Sequence, residues 1–483
     1  MLIKLTLSLL ILLPGLGLCM QGLHAQSLLI RNVRIVDVEK GRVLPPCDIL
    51  IDQGRISGIT QVGAIRLMPH VKIYQAGGKY IIPGLWDMHT HPDDPELWRM
   101  KPDAKSRDLL LPQFVMHGVT GTRDMAGSLE VVKDWKRRIQ SGELIGPEIF
   151  AAGPLLDGPN PMWDGSVGIA SPQRVQPVVD SLIREGVDFL KVYSLLPRDI
   201  YFALSKYANQ IDFPFCGHVP NEVSCAEAAQ SGMKSQEHLL GILLDCSSRS
   251  EEVRANKVDF GQAKGLDRYV LRQQLLLDTY DPQKAQQLFQ TFVKYGSWHT
   301  PTLSMWYKNA WFEREVEKDR ELYAYLPEYM RRYWTPEEND HLRYRDHQGF
   351  IQMKQQLYRK YEELVKAMHQ AGVPLLAGTD MGANPLCFPG IGLHNELSCL
   401  VAAGLSPAEA LKTATLNPAI YLGIEKDYGT VAEGKVADLV ILEENPLEDI
   451  AHIREIRAVF KNGKLYDEQA RARILDEIAA KLK

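Results

Sequence analysis

Alternating apolar and polar positions dominate both ends of the chain. Residues 28–37 and 48–59 alternate in this way, and residues 435–442 and 458–466 repeat the pattern near the C-terminus. Asn462-Gly463 lies inside the last of these segments and is a strong signal for a two-residue hairpin turn. A period of two residues is that of a β-strand with one buried face. Both ends are therefore predicted to be rich in strands.

The middle of the chain has a different pattern, in which short apolar runs are separated by longer stretches of helical character. This arrangement is typical of parallel βα units. The candidate strands are residues 85–91, 118–125, 148–156, 188–194, 213–219, 235–239, 298–303 and 374–380. Eight strands are the number that closes a barrel. We therefore predict an α/β fold with a (β/α)₈ TIM barrel.

Two long intervals, residues 241–297 and 304–372, interrupt this rhythm and have charged, helical character. The second interval is rich in aromatic side chains: Trp306, Tyr307, Trp311, Tyr323, Tyr325, Tyr329, Tyr333 and Trp334. These side chains either form a lid over the mouth of the barrel or anchor surface helices to it. The pattern assigns none of them to a substrate.

Composition and charge narrow the class of protein. The 483 residues are 45% hydrophobic, which is typical of a globular chain. The formal net charge is −5, and the charged residues are spread along the chain. No electrostatic footprint for nucleic acid is present, so a small-molecule or short-peptide substrate fits better. A homo-oligomer remains open.

The first 25 residues have the layout of a secretory signal peptide. Lys4 precedes an apolar run from Leu5 to Leu18, and a short polar stretch ends at Ala25. The run is shorter than the about 20 residues that a helix needs to cross a ~30 Å hydrocarbon layer. We expect export to the periplasm or the medium, with no integral membrane segment in the mature chain. Lipid anchoring through Cys19 is a second interpretation.

Metal-competent side chains lie at or near the C-terminal ends of five predicted strands, where barrel enzymes build their sites. His89 and His91 end the first strand, and residues two apart on a strand point the same way. The other positions are Lys191, His218, His238 and Asp380. A lone histidine on an apolar strand is more often a core residue, but the joint pattern favours a metal site.

This arrangement resembles the amidohydrolase superfamily, and its imidazolonepropionase-like and prolidase-like members most of all. The resemblance spans nearly the whole mature chain. It rests on Ile82-Pro83-Gly84-Leu85-Trp86-Asp87-Met88-His89-Thr90-His91, Phe189-Leu190-Lys191-Val192, Gly217-His218-Val219-Pro220, Gln236-Glu237-His238, Ala377-Gly378-Thr379-Asp380, Asn417-Pro418-Ala419 and Gly434-Lys435-Val436-Ala437-Asp438-Leu439-Val440.

The resemblance implies a domain arrangement in which both terminal segments form one small β-sandwich beside the barrel. The expected divisions are a signal peptide at 1–25, the N-terminal part of the sandwich at 26–80, the barrel at 81–424 with helical insertions near 241–297 and 304–372, and the C-terminal part of the sandwich with a final helix at 425–483.

The resemblance also implies a binuclear site with two divalent cations, expected to be zinc. His89, His91, Lys191 and Asp380 would bind one cation, and Lys191, His218 and His238 the other. Lys191 would be carboxylated by carbon dioxide, because a carbamate can bridge two cations whereas an ammonium would repel both. The alternative is an ordinary lysine paired with Asp380 over a single metal.

Such a site generates hydroxide at neutral pH, because two cations lower the pKa of a shared water towards ~7. Asp380 is placed to hold that water and to take its proton. Tyr193, two residues after Lys191, is a candidate donor to the developing oxyanion, or else a wall residue of the barrel. His117 and His394 are expected to be structural, and His299 is excluded because it opens its predicted strand.

We therefore expect an exported metal-dependent hydrolase of amide bonds, resembling dipeptidases and carboxypeptidases that act on dipeptides or N-acyl amino acids. A cyclic amide, a lactone or a phosphotriester is the alternative substrate, since hydroxide attack serves all of them. A non-catalytic metal-binding scaffold is the remaining alternative.

Overall fold

The computed structural model describes residues 27–64 and 71–482. The predicted signal peptide and Cys19 lie outside the described residues, so export and lipid anchoring stay predictions. Among the described residues, no helix combines the length and apolar character needed to span a membrane.

Strands from both ends of the chain form one nine-stranded sheet. Its members are β1 (Leu28–Asp37), β2 (Arg42–Val43), β3 (Cys47–Asp52), β4 (Arg55–Gln61), β5 (Lys72–Gln75), β6 (Tyr80–Pro83), β16 (Leu439–Leu442), β17 (Ile456–Lys461) and β18 (Lys464–Asp467). The main order is β18-β17-β16-β6-β1-β3-β4, and β2 and β5 also pair with β1. Strand β6 pairs with β1 on one side and with β16 on the other. The two segments predicted to be rich in strands therefore meet in one sheet.

The β3–β4 and β17–β18 hairpin turns of this sheet pack against each other. Gly54 and Gly463 both have positive φ angles, of 77° and 76°, in the turns of β3–β4 and β17–β18. A β-carbon at Gly463 would lie 2.8 Å from the α-carbon of Gly54. Glycine therefore permits both the left-handed backbone and the close approach of these two turns.

The strands in the middle of the chain pair with one another in parallel. The strands are β7 (Leu85–Thr90), β8 (Val119–Asp124), β9 (Glu148–Ala151), β10 (Leu156–Asp157), β11 (Val167–Gly168), β12 (Leu190–Val192), β13 (Phe215–Gly217), β14 (Ser235–Glu237) and β15 (Trp298–Thr300). They form a sheet β7-β8-β9 and a sheet β11-β10-β12-β13-β14-β15.

Backbone contacts connect these two sheets on both sides. Leu375 bridges to His299 of β15, and Met381 bridges to Thr90 of β7. On the other side, the Asp188 amide donates to the Ala151 carbonyl of β9, at 2.8 Å. The result is an α/β fold whose parallel strands belong to one curled sheet.

Two predicted strands differ from the structure. Residues 374–380 were expected to form a strand, but the segment makes only the single bridges at Leu375 and Met381. Asp380 has a left-handed backbone, with φ of 58°, which interrupts a regular ladder. The predicted strand 148–156 is divided into β9 and β10, because Gly153 between them has φ of 67°.

Helices fill most of the remaining chain. They are α1 (Ala104–Asp108), α2 (Leu111–Met116), α3 (Leu129–Gln140), α4 (Val175–Glu185), α5 (Arg198–Gln210), α6 (Cys225–Gln230), α7 (Ile242–Asp245), α8 (Ser250–Arg254), α9 (Gly265–Asp278), α10 (Pro282–Tyr295), α11 (Leu303–Ala310), α12 (Phe312–Lys318), α13 (Glu328–Tyr333), α14 (Gln348–Gln370), α15 (Ile391–Ala402), α16 (Pro407–Thr413), α17 (Leu416–Leu422) and α18 (Glu468–Lys481). The intervals 241–297 and 304–372 are thus helical, as predicted.

Three aromatic side chains of the second interval, Tyr329, Tyr333 and Trp334, are buried and anchor it to the rest of the fold. The Trp334 ring lies 5.3 Å from that of Phe388, and its indole nitrogen donates to the Gly382 carbonyl. Trp306 is different, because it lines the cavity described next.

Candidate metal centre

The six residues predicted to bind metal lie together at the C-terminal ends of the parallel strands. They are His89 in β7, His91 just after it, Lys191 in β12, His218 after β13, His238 after β14, and Asp380 in the segment that packs between β15 and β7 in space. All except the fully buried His89 line a cavity of about 190 Å³. Residues as far apart in sequence as His89 and Asp380 therefore converge on one pocket, as strand ends of a curled parallel sheet do.

His89, His91 and Asp380 form the first half of the centre. Each offers a ligand atom within 4.8 Å of those of the other two. The Nε2 atoms of both imidazoles lie 3.4 Å from Oδ1 of Asp380. The spacing of the two histidines on one strand thus produces the shared direction that was predicted.

Hydrogen bonds on the far sides of these rings indicate which nitrogen faces the cavity with a lone pair. Nδ1 of His89 lies 2.7 Å from the Glu237 carboxylate, and Nδ1 of His91 lies 3.3 Å from the Ala126 carbonyl. Both partners accept hydrogen bonds, so each Nδ1 carries the proton. Each Nε2 then presents a lone pair to a carboxylate oxygen, and a cation between them fits this donor set.

Lys191, His218 and His238 form the second half. Nζ of Lys191 is buried and lies 3.4 Å from Nε2 of His89. The ring centroid of His238 lies 4.3 Å from that of His89 and 4.9 Å from that of His218. The Lys191 amine therefore contacts the first half directly and shares the cavity with His218 and His238. Among the described residues it makes no ion pair within 4.0 Å.

Burial sets the protonation of most of these groups. It holds the pKa of His89 and of His218 well below the ordinary value, and it lowers the pKa of His238 to about 4. Burial also lowers the pKa of the Lys191 amine. At Asp380 burial opposes ionisation, but the imidazoles of His238 and His91 lower the pKa of its carboxyl below the ordinary value. At His91 burial lowers the pKa, but the hydrogen bond to Asp380 and nearby carboxylates outweigh it and raise the pKa. The neutral imidazoles of His89, His218 and His238 and the ionised carboxylate of Asp380 are the forms that bind divalent cations.

A buried ion pair between Arg123 and Glu237 supports the His89 ring on the side away from Asp380. Arg123 of β8 donates to Glu237 at 2.9 Å and to the Met88 carbonyl at 2.7 Å. Ser235 also donates to Glu237, at 2.6 Å. The Glu237 carboxylate is thus saturated by Arg123 and Ser235 on one oxygen and by His89 on the other, which fixes the His89 ring.

The sequence pattern did not identify Glu237, although Glu237 belongs to the motif Gln236-Glu237-His238. Side chains alternate along a strand, so Glu237 is expected to point away from the neighbour His238. Strand β14 ends at Glu237, however, and His238 has φ of 63°. This left-handed turn brings both neighbours to the same site, and backbone strain of this kind is concentrated at functional sites.

Three hydrogen bonds near the cavity were also not anticipated. The Asn384 amide donates to Oδ2 of Asp380, at 2.8 Å. Ser194 and Thr302 place hydroxyl groups 2.9 Å from Nδ1 of His218 and His238 respectively. Only the structure reveals these contacts, because serine, threonine and asparagine are frequent in loops and no spacing distinguishes the ones beside a metal ligand.

Tyr193 lies in the cavity wall, where its ring stacks on that of His218 with centroids 4.1 Å apart. Its hydroxyl oxygen accepts a hydrogen bond from the Trp163 indole at 2.9 Å. Burial raises the pKa of this phenol, so the hydroxyl keeps its proton. That proton is available for donation into the cavity.

Three further histidines considered in the sequence analysis lie away from the cavity, whereas His341 contributes to its lining. His394 contacts the His117 carbonyl through Nε2, at 2.9 Å, and His117 contacts the Gln113 carbonyl. His299 is fully buried against Phe292, with ring centroids 4.2 Å apart. None of the three contributes to the lining of the cavity.

Parts of the chain match known proteins. The model of the Amidohydrolase family matches residues 328–466. Imidazolonepropionase of Shewanella baltica is 34% identical over 106 residues, which are 21% of this chain and 25% of that protein. These matches support membership of the amidohydrolase superfamily. Together with hydrolases among the similar proteins, they support an enzyme that hydrolyses amide or other C–N bonds.

Longer alignments support the same fold. Ochratoxinase of Aspergillus niger is 24% identical over 443 residues, covering 80% of this chain and 75% of that protein. The structure of a bottromycin amidohydrolase covers 94% of this chain and 90% of its own, with a TM-score of 0.70 and 21% identity. A Xaa-Pro dipeptidase structure with bound methionine covers 91% and 100%, with a TM-score of 0.64 and 19% identity.

Proposed function

We propose that this protein is an exported enzyme with two divalent cations that cleaves an amide bond in a dipeptide or an N-acyl amino acid. The observation that carries the proposal is the convergence of six nitrogen and oxygen donors on one cavity. The likeness to a Xaa-Pro dipeptidase and to ochratoxinase supports an amide substrate. The secretory pattern of residues 1–25 supports export.

The donor set divides between the two cations, for which zinc is our proposal. His89, His91 and Asp380 would hold one, His218 and His238 the other, and Lys191 would bridge them as a carbamate. In that modification Nζ of Lys191 forms a bond to the carbon of carbon dioxide and loses a proton. When bound, the cations polarise the substrate carbonyl and lower the pKa of water.

The chain's own groups supply the proton transfers. Asp380 accepts the proton of the attacking water and passes it to the leaving nitrogen. Asn384 holds the other oxygen of that carboxylate, so Asp380 keeps its orientation during the transfer. The Tyr193 hydroxyl keeps its proton and donates a hydrogen bond to the oxygen of the scissile carbonyl as negative charge develops there.

The fold that holds this site is, in our proposal, a (β/α)₈ barrel. Segment 374–381 supplies the eighth position, since it contacts β15 on one side and β7 on the other. The nine-stranded sheet would be the small β-sandwich, built from residues 26–80 and 425–483. Its apolar cluster includes Ile30, Ile81 and Phe460.

A cyclic amide is a second candidate substrate. The relative with the higher local identity is imidazolonepropionase, whose name describes an imidazolone. Lactones and phosphotriesters belong to the same test set, since attack by water on an activated centre serves them all.

Metal analysis and a substrate screen of the purified mature protein test the proposal. Elemental analysis should give two zinc ions per chain after loading in the presence of bicarbonate. Dipeptides, N-acyl amino acids, cyclic amides and lactones should then be compared by kcat/KM. A stoichiometry that stays at one contradicts the binuclear centre, and a loaded protein that cleaves none of these compounds supports a non-catalytic scaffold.

A further inference from the structure

The lining of the cavity is divided between polar and apolar loops. Carboxyl groups come from the loop after β7, at Asp94 and Glu96. The loops after β10 and β12 supply Trp163 and Tyr193, which are joined by the hydrogen bond between indole and hydroxyl. One side of the cavity is therefore aromatic.

Two exposed apolar residues flank this aromatic side in sequence. Met162 precedes Trp163 and is 48% exposed, and Leu195 lies two residues after Tyr193 and is 43% exposed. The amides of Met162 and Leu195 donate to the two oxygens of the buried Asp157 carboxylate, at 3.2 and 2.8 Å. One carboxylate thus holds the backbones of both residues close together, beside the loops that carry Trp163 and Tyr193.

The loops that carry them are closely packed. A β-carbon at Gly158 would overlap the carbonyl oxygen of Leu195, and one at Gly165 would overlap the Trp98 ring. The loop after β10 therefore has a defined position against β12 and the loop after β7. The exposure of Met162 and Leu195 is a property of this fixed surface.

We propose that Met162, Trp163 and Leu195 form an apolar subsite that binds a bulky aryl or alkyl group flanking the scissile amide. This inference rests on the proposed function, since it places the subsite beside the reacting centre. Single exposed apolar side chains need no explanation, but these two share one carboxylate anchor and flank Trp163 and Tyr193 of the cavity wall. Covering them with an apolar group removes their surface from water, which favours binding.

A double variant, Met162→Ser with Leu195→Ser, tests the subsite. Both side chains are exposed, so the fold should be retained. Two substrate pairs are needed, because the group could lie on either side of the amide: acetyl against 2-naphthoyl glycine, and the methylamide against the 2-naphthylamide of N-acetylglycine. We expect wild-type enzyme to favour the naphthyl member of one pair, and the variant to lose about tenfold in kcat/KM for that member through KM.

Matched controls separate this effect from a general loss of surface apolarity. Val293 and Ile420 are 44% and 47% exposed and lie on α10 and α17. The double variant Val293→Ser with Ile420→Ser should leave both pairs unchanged. Equal losses for small and bulky substrates, or equal effects of the two double variants, would contradict the subsite.

A binding measurement distinguishes failure of the subsite from failure of the proposed function. The fluorescence of 2-naphthaleneethanol, which contains no hydrolysable bond, reports binding without turnover. If wild-type protein binds this probe and the Met162→Ser, Leu195→Ser variant does not, the subsite holds even where no amide is cleaved. If amides are cleaved and the probe binds both proteins equally, the subsite is wrong and the hydrolase stands.

Discussion

The two halves of the candidate metal centre are supported by different chemistry. In the first half, Nδ1 of His89 meets the Glu237 carboxylate, which Arg123 binds in turn. In the second half, Nδ1 of His218 meets the neutral hydroxyl of Ser194, and Nδ1 of His238 lies 2.9 Å from the hydroxyl of Thr302 and 3.7 Å from Oδ2 of Asp380. A carboxylate behind an imidazole raises the basicity of the ligand nitrogen more than a hydroxyl does.

This difference indicates that the halves are not equivalent before metal binds. The first half already contains an ionised carboxylate at Asp380 and an imidazole fixed by an ion pair. The second half contains two neutral imidazoles and a buried amine at Lys191. We expect the first cation to bind more tightly, and the second to depend on conversion of Lys191 to an anion.

The largest effect is expected for Asp380→Asn, because this residue serves the first half and the proton transfer. The amide keeps the shape of the carboxylate but cannot accept a proton from water. We expect kcat to fall by about 10³-fold, within the range of general acid–base catalysis. Circular dichroism should show an unchanged fold. Near wild-type kcat at saturating metal would show that Asp380 is neither base nor essential ligand.

Lys191→Ala should remove the second cation and leave the first. The variant loses the proposed bridge, so kcat should fall by at least about 100-fold and the metal content should approach one per chain. Added formate, acetate or propionate should restore part of the activity, since a small carboxylate can occupy the gap. Lys308→Ala, which removes another buried lysine amine, should show no such rescue. Full metal content with an unchanged rate would overturn the role of Lys191.

Glu237→Gln tests the anionic support of the first half. The amide oxygen can still accept a hydrogen bond from His89, but the negative charge is lost, so the affinity for the first cation should fall about 10- to 100-fold. Titration of the metal-free protein with zinc measures this directly. Glu315→Gln is the control, because Glu315 is equally buried in an ion pair with Lys308, remote from the cavity. Equal losses of affinity in both variants would refute the positioning role.

The sequence predicted the strand-end positions well, since period and spacing are local properties. His89 and His91 share a direction because they lie two apart, and the parallel βα rhythm placed Lys191, His218 and His238 at neighbouring strand ends. The long helical intervals were also predicted. These features depend on hydrophobic periodicity, which can be read directly from the amino-acid sequence.

The sequence did not predict contacts that depend on left-handed residues or on distant partners. Asp380 interrupts its strand with φ of 58°, and His238 turns the chain so that Glu237 faces His89. Arg123 reaches Glu237 across 114 positions of sequence. No local period encodes such a pairing, so the support of the metal centre became visible only in three dimensions.

The smallest effect is expected for Thr302→Val, which removes the hydroxyl behind His238 in the second half. Valine keeps the β-branched shape at a residue whose φ is 49°, so the backbone meets no new strain. A neutral hydrogen bond contributes about 1 kcal/mol, which corresponds to about fivefold in affinity. We expect zinc titration to show this loss for the second cation alone. Thr413→Val, at a buried threonine whose hydroxyl bonds the Ala410 carbonyl, should change neither cation. If Thr302→Val weakened both cations equally, the two halves would share one support, and the asymmetry inferred from Glu237 would be wrong.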